Sequence, residues 1–73
     1  MDVALRQVEQ AVIEANRLVR AQEGEVTRMQ MAGLDITHAE ALLCAYREGA
    51  RLAQELQQLL HTQFAVVLRI EEQ

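Results

Sequence analysis

The sequence predicts an all-α protein, an antiparallel two-helix hairpin that dimerises into a four-helix bundle. Three observations carry this expectation. The 73 residues contain no proline and are rich in Ala, Leu, Gln, Glu and Arg, the strongest helix formers, so long unbroken helices are permitted. Two long stretches repeat apolar residues at alternating three- and four-residue spacing. Between them, residues 32–40 hold the residue types that stop one helix and start the next. A chain of this length is a single domain, here with helices over about 3–32 and 37–70 joined by a turn at 33–36. A lone core of that size is marginal without a partner.

In the first helix Leu5, Val8, Val12, Ala15, Val19, Val26 and Met29 occupy the a and d positions of a heptad, with Gln22 as the one polar break. Ala4, Ala11 and Leu18 flank this front. Arg6, Arg17, Arg20 and Arg28 fall within about 80° of one another on the opposite side, so the helix has an apolar front and a basic back. Glu14 with Arg17, Arg20 with Glu23, and Glu25 with Arg28 form pairs at i,i+3 spacing. Gly24 marks a candidate kink.

Gly33 ends that helix, because glycine takes the left-handed conformation without a Cβ penalty, and Leu34 supplies the apolar residue that accompanies such a cap. Thr37 and Glu40, three residues apart, predict a capping box at the start of the second helix, with Ile36 and Ala41 as a weak staple.

The second helix carries apolar residues over roughly 200° of its surface, about twice what one partner helix covers. One stripe, Leu42, Tyr46, Gly49, Ala53, Leu56, Leu60 and Phe64, is expected to face the first helix. A second seam, Ala45, Leu52, Leu59 and Val66 at seven-residue intervals joined by Leu56 and Ile70, has no partner within the chain and is the expected oligomer interface. Residues 64–68 are β-branched enough to fray or pair as a strand, but helix is favoured because their apolar positions continue the same wheel. With the turn centred between Leu34 and Asp35, facing residues have numbers summing to about 69. That register sets Val8 by Leu60 and Gln22 by Tyr46.

Composition narrows the function. Net charge is −4, with seven Arg and no Lys, and one Phe and one Tyr are the whole aromatic complement, so nucleic acid is not the expected partner. The lone Cys44 cannot form an intramolecular disulfide and is flanked by both Arg47 and Glu48, a balance that predicts an unreactive thiol. His38 and His61 have too few ligand neighbours for a metal site. Serine is absent, Thr27, Thr37 and Thr62 have no local base, and there is no phosphate-binding glycine loop, so neither an enzyme nor a cofactor is expected. Arg6, Glu9 and Glu14 interrupt the first apolar stretch, which speaks against a signal peptide or membrane span and predicts a cytoplasmic protein with no membrane partner.

Residues 28–43, with Gly33, Asp35 and Thr37 followed by Ala39-Glu40-Ala41-Leu42-Leu43, resemble a group of short uncharacterised alphaproteobacterial helical-hairpin proteins. The resemblance covers about half the chain. It departs from Phe64 onward, where those proteins are more charged, and it implies a bacterial hairpin but no activity and no functional residue. The expected function is a small cytoplasmic interaction or structural module that binds itself, and can bind another protein, through helix packing. The alternative is a nucleic-acid-associated regulator using Arg6, Arg17, Arg20 and Arg28.

Overall fold

The computed structural model describes the backbone of residues 2–72 and the side chains of residues 3–63 and 65. Two helices, α1 (Asp2–Met31) and α2 (Thr37–Glu72), pack side by side as a rod of 63 × 15 × 13 Å. Both helix ranges lie within two residues of those expected. The apolar segment at the end of α2 is helical, and Gly24 sits within an unbroken helix.

The stop at Gly33 has the expected chemistry. Gly33 adopts φ +74°, its N–H donates to the Gln30 carbonyl at 3.1 Å, and the Leu34 N–H donates to the Met29 carbonyl at 2.9 Å. These are the two bonds of a Schellman cap, and they satisfy carbonyls that the helix end would otherwise leave open.

The start of α2 differs from the expected capping box. Thr37 does not accept from Glu40; the Glu40 N–H donates to the Ile36 carbonyl at 2.8 Å, and Asp35 does the capping. Its carboxylate accepts from the Thr37 N–H at 3.0 Å and from the Thr37 hydroxyl at 2.7 Å. The physical reason is charge. A carboxylate two residues ahead is a stronger acceptor for an orphan N–H at a positive helix end than the neutral hydroxyl of Thr37, which becomes a donor to the same oxygen.

The front of α1 is as expected. Leu5, Val8, Val12, Ala15, Val19, Gln22 and Met29 are half-buried and Val26 is buried. The inward face of α2 is not the expected stripe. Ile36, Ala39, Leu43, Tyr46, Ala50, Ala53, Gln57 and Leu60 are the buried or half-buried positions, whereas Leu42, Gly49 and Leu56 are exposed. The stripe keeps Tyr46, Ala53 and Leu60 and exchanges Leu42, Gly49 and Leu56 for Leu43, Ala50 and Gln57, a rotation of roughly 50° from the expectation. Val26, Ala39 and Leu43 form the centre of the core, with Val19, Met29 and Ile36 packed against it close to the turn.

Register is nearer to the expectation than rotation is. Across one edge of the hairpin Arg47 donates to Glu23 at 3.1 Å and Gln54 to Asn16 at 3.4 Å, and both pairs sum to 70. Gln22 does not pair with Tyr46. Its amide reaches back toward the turn and donates to the Ala39 carbonyl at 3.0 Å, which satisfies the one polar residue of the α1 seam with a backbone acceptor.

The two glycines of this region respond oppositely to a methyl group. Gly33→Ala must hold a β-carbon at positive φ and is expected to cost roughly 1 kcal/mol. At Gly24 nothing lies within 4 Å of the position a Cβ would take. Gly24→Ala is expected to gain up to about 1 kcal/mol of helix propensity. Thermal unfolding followed by circular dichroism at one fixed concentration should show the first melting lower and the second higher than the parent.

Candidate interaction surface

The most apolar unpartnered surface of the hairpin lies on α2. Leu42 is 43% exposed, Leu52 52%, Leu56 49% and Leu59 62%, with exposed Ala45 and Gly49 between them. Residues 42, 45, 49, 52, 56 and 59 alternate three- and four-residue steps, so they form a heptad seam of their own, about 26 Å long at 1.5 Å per residue. It lies beside the buried seam of 36, 39, 43, 46, 50, 53, 57 and 60, displaced from it by one residue. The helix therefore repeats the same pattern twice, once toward α1 and once toward solvent.

The expected interface residues Ala45, Leu52, Leu56 and Leu59 all lie on this outward seam. Leu56, expected to serve both seams, is assigned to the outward one alone. The helical backbone carries the seam on through Val66 and Ile70, whose side chains lie outside the described residues. Leu42 and Gly49, expected inside, belong here too.

The sequence-based expectation missed the contribution of α1. The Arg47–Glu23 and Gln54–Asn16 bonds mark one long edge of the hairpin as polar. In an antiparallel pair the positions preceding each a residue then share the opposite edge. On α1 these are exposed Ala4 and Ala11 and half-buried Leu18 and Glu25; on α2 they are Leu42, Gly49 and Leu56. Away from the turn, from Ala4 to Leu18, this side of the rod is thereby apolar across both helices; Glu25 ends it toward the turn, and the signal for it was the seven-residue spacing of Ala4, Ala11 and Leu18.

Several charged side chains of the rod are paired with their neighbours, Glu25 at the turn end of this edge among them. Arg17 binds Glu14 through Nε at 3.0 Å, and Arg28 binds Glu25 in the same bidentate fashion at 3.0 Å. Arg51 spans Glu48 and Glu55, with Nε to Glu48 at 3.2 Å. Hydrogen bonds from these guanidinium groups hold Glu14, Glu25 and Glu48 below the ordinary value of 4.5, and the bonds from Thr37 hold Asp35 below 3.8. Two of the four arginines of the basic back, Arg17 and Arg28, are thus already engaged by carboxylates, while Arg6 and Arg20 are exposed on the same helix.

No family model, curated protein or solved structure matches the chain. Among the described residues no three His, Cys, Asp or Glu side chains converge as a metal site. His38 and His61 stand about 34 Å apart on one helix. Cys44 is free and exposed, a third of a turn off the leucine seam. A shallow open depression lined by Glu55, Gln58, Leu59 and Thr62 lies on the flank of that seam. Among the described residues no helix is long and apolar enough to cross a membrane.

The four depressed carboxylates fix the sign of the acid response. Each binds its proton less readily folded than unfolded, so its contribution is present in full above its unfolded value and is lost as pH falls through the lower folded value. Melting temperature is expected to fall as the pH drops below about 4.5, and Asp35→Asn should remove the part that begins below 3.8. Melting curves at a series of pH values in low salt check this.

Proposed function

We propose that this protein is a small cytoplasmic structural or interaction module whose hairpin associates with itself through helix packing, giving a four-helix bundle. The observation that supports it most is the leucine seam Leu42–Leu52–Leu56–Leu59, a second heptad stripe on a helix whose first stripe is already in use. Bundle geometry, with helices crossing at about 20°, accepts such a stripe directly. Contiguous apolar patches of that length are uncommon on monomers. The shallow core adds to the case, since among the described residues only Val26, Ala39, Leu43 and Ala50 are less than a tenth exposed.

The chemistry is that of a binder rather than a catalyst. What the rod offers is shape and apolar surface, and Arg17, Arg28, Arg47 and Arg51 are each bound to a carboxylate of the same chain. The nucleic-acid alternative draws on Arg6 and Arg20 alone once Arg17 and Arg28 are paired, against a net charge of −4.

Sedimentation equilibrium of the purified chain should give at least twice the 8.3 kDa chain mass. Leu52→Glu combined with Leu59→Glu should give a monomer or an unfolded chain. A folded, helical monomer of the unmodified protein at tens of micromolar sinks the proposal. In parallel, the protein should bind neither DNA nor RNA at physiological salt. Micromolar, steeply salt-dependent binding that is abolished when Arg17 and Arg20 become Glu favours the alternative.

A further inference from the structure

The geometry points to one arrangement of the dimer: α2 packs antiparallel against α2 of a second copy, with the two-fold axis passing between Ala50 and Arg51. This rests on the self-association proposed above and specifies it. Sizes along the seam carry the argument. In an antiparallel pair centred there, facing residues have numbers summing to 101, so Leu42 meets Leu59 of the other copy, Ala45 meets Leu56, and Gly49 meets Leu52. Large side chains meet small ones in two of the three layers, which is how facing helix surfaces interdigitate without voids. At the ends exposed His38 meets exposed Gln63, polar against polar.

Shifting by one heptad in either direction spoils the match. One shift sets Ala45 against Gln63 and Leu52 against Leu56; the other sets Ala45 against Gly49, leaving a gap, and His38 against Leu56. Parallel packing sets Gly49 on Gly49 and Leu52 on Leu52, a hole beside a crowd. The centred antiparallel register alone gives each leucine of the described seam an apolar partner and each polar end residue a polar one.

A second copy also meets the other demands of the surface. Nothing within the chain lies within 4 Å of the missing Cβ of Gly49, so the site is open to the incoming Leu52. The described seam runs about 26 Å along a rod 15 Å across, and the helical backbone of α2 continues beyond it. Glu48 and Glu55, which flank the seam on either side of the axis, are each bound by Arg51 of their own chain, and this reduces like-charge repulsion across the axis.

Disulfide trapping separates this arrangement from self-association as such. In a Cys44→Ser background, Leu42→Cys and Leu59→Cys are made singly, and the oligomeric state of each is checked by sedimentation. Under mild oxidation neither variant alone should give a covalent dimer, because identical positions lie about 26 Å apart in the antiparallel pair. An equimolar mixture should give a disulfide-linked heterodimer. Cross-linking of each variant by itself, or a sedimenting dimer whose mixture fails to cross-link, overturns the antiparallel register and leaves self-association standing. Monomers that do not cross-link overturn both. The parent chain, whose Cys44 is exposed but off the seam, controls for random collision.

Discussion

Two helices laid side by side touch along a single line, so each can hide only one stripe of its surface. This limit governs the rest of the molecule. α1 conforms to it, with one apolar front and a back of arginines and glutamates. α2 does not, since it carries two heptad stripes displaced by one residue, and whichever stripe meets α1 leaves the other in water. The structure turns the stripe containing Ala39, Ala50 and Ala53 inward and leaves Leu42, Leu52, Leu56 and Leu59 outside. Small residues at a helix contact allow a close approach, near the lower end of the usual 8–10 Å between axes. The stripe richer in leucine stays available for a partner.

The choice between stripes is made at the turn. Gly33 at φ +74° with its two cap bonds fixes how α1 ends, and Asp35 holding Thr37 fixes how α2 begins. Once residues 33–37 are set, the phase of everything downstream follows. Ile36, Ala39 and Leu43 come down beside Met29 and Val26, and the inward pattern continues through Tyr46, Ala50, Ala53, Gln57 and Leu60. The Gln22 amide on the Ala39 carbonyl ties the same end together from the other helix.

What was legible beforehand follows from this division. The helices, the glycine stop and the α1 front were readable because each depends on local chemistry or on a single unambiguous period. The rotation of α2 was not, because a wheel apolar over about 200° fits either stripe equally well. Only the phase delivered by the turn decides. That phase depends on Asp35 rather than Thr37 being the cap, a competition between a carboxylate and a hydroxyl that spacing alone favoured the wrong way. The outward seam was recognisable through Ala45, Leu52 and Leu59. Its extension onto α1 through Ala4, Ala11 and Leu18 was visible only as a faint repeat, because alanine spaced by seven on a helix is common and carries little weight until the polar edge is located.

A dimer could also arise by exchange, with α1 of one copy laid on α2 of the other, which would preserve the contacts between the helices. The turn argues against it. Exchange requires residues 32–36 to open, and an opened connection gives up the bonds from Leu34 to Met29 and from Gly33 to Gln30 together with the grip of Asp35 on Thr37. If the connection became continuous helix, Gly33 would add the propensity cost of a glycine inside a helix. None of these losses is returned by the exchanged contacts, which are the ones already made within a single chain. The exchanged form also leaves the leucine stripe of α2 facing away from α1, so it answers none of the demand that drives association. Closed hairpins joined through that stripe retain every bond of the turn and cover the surface that a single contact line leaves bare.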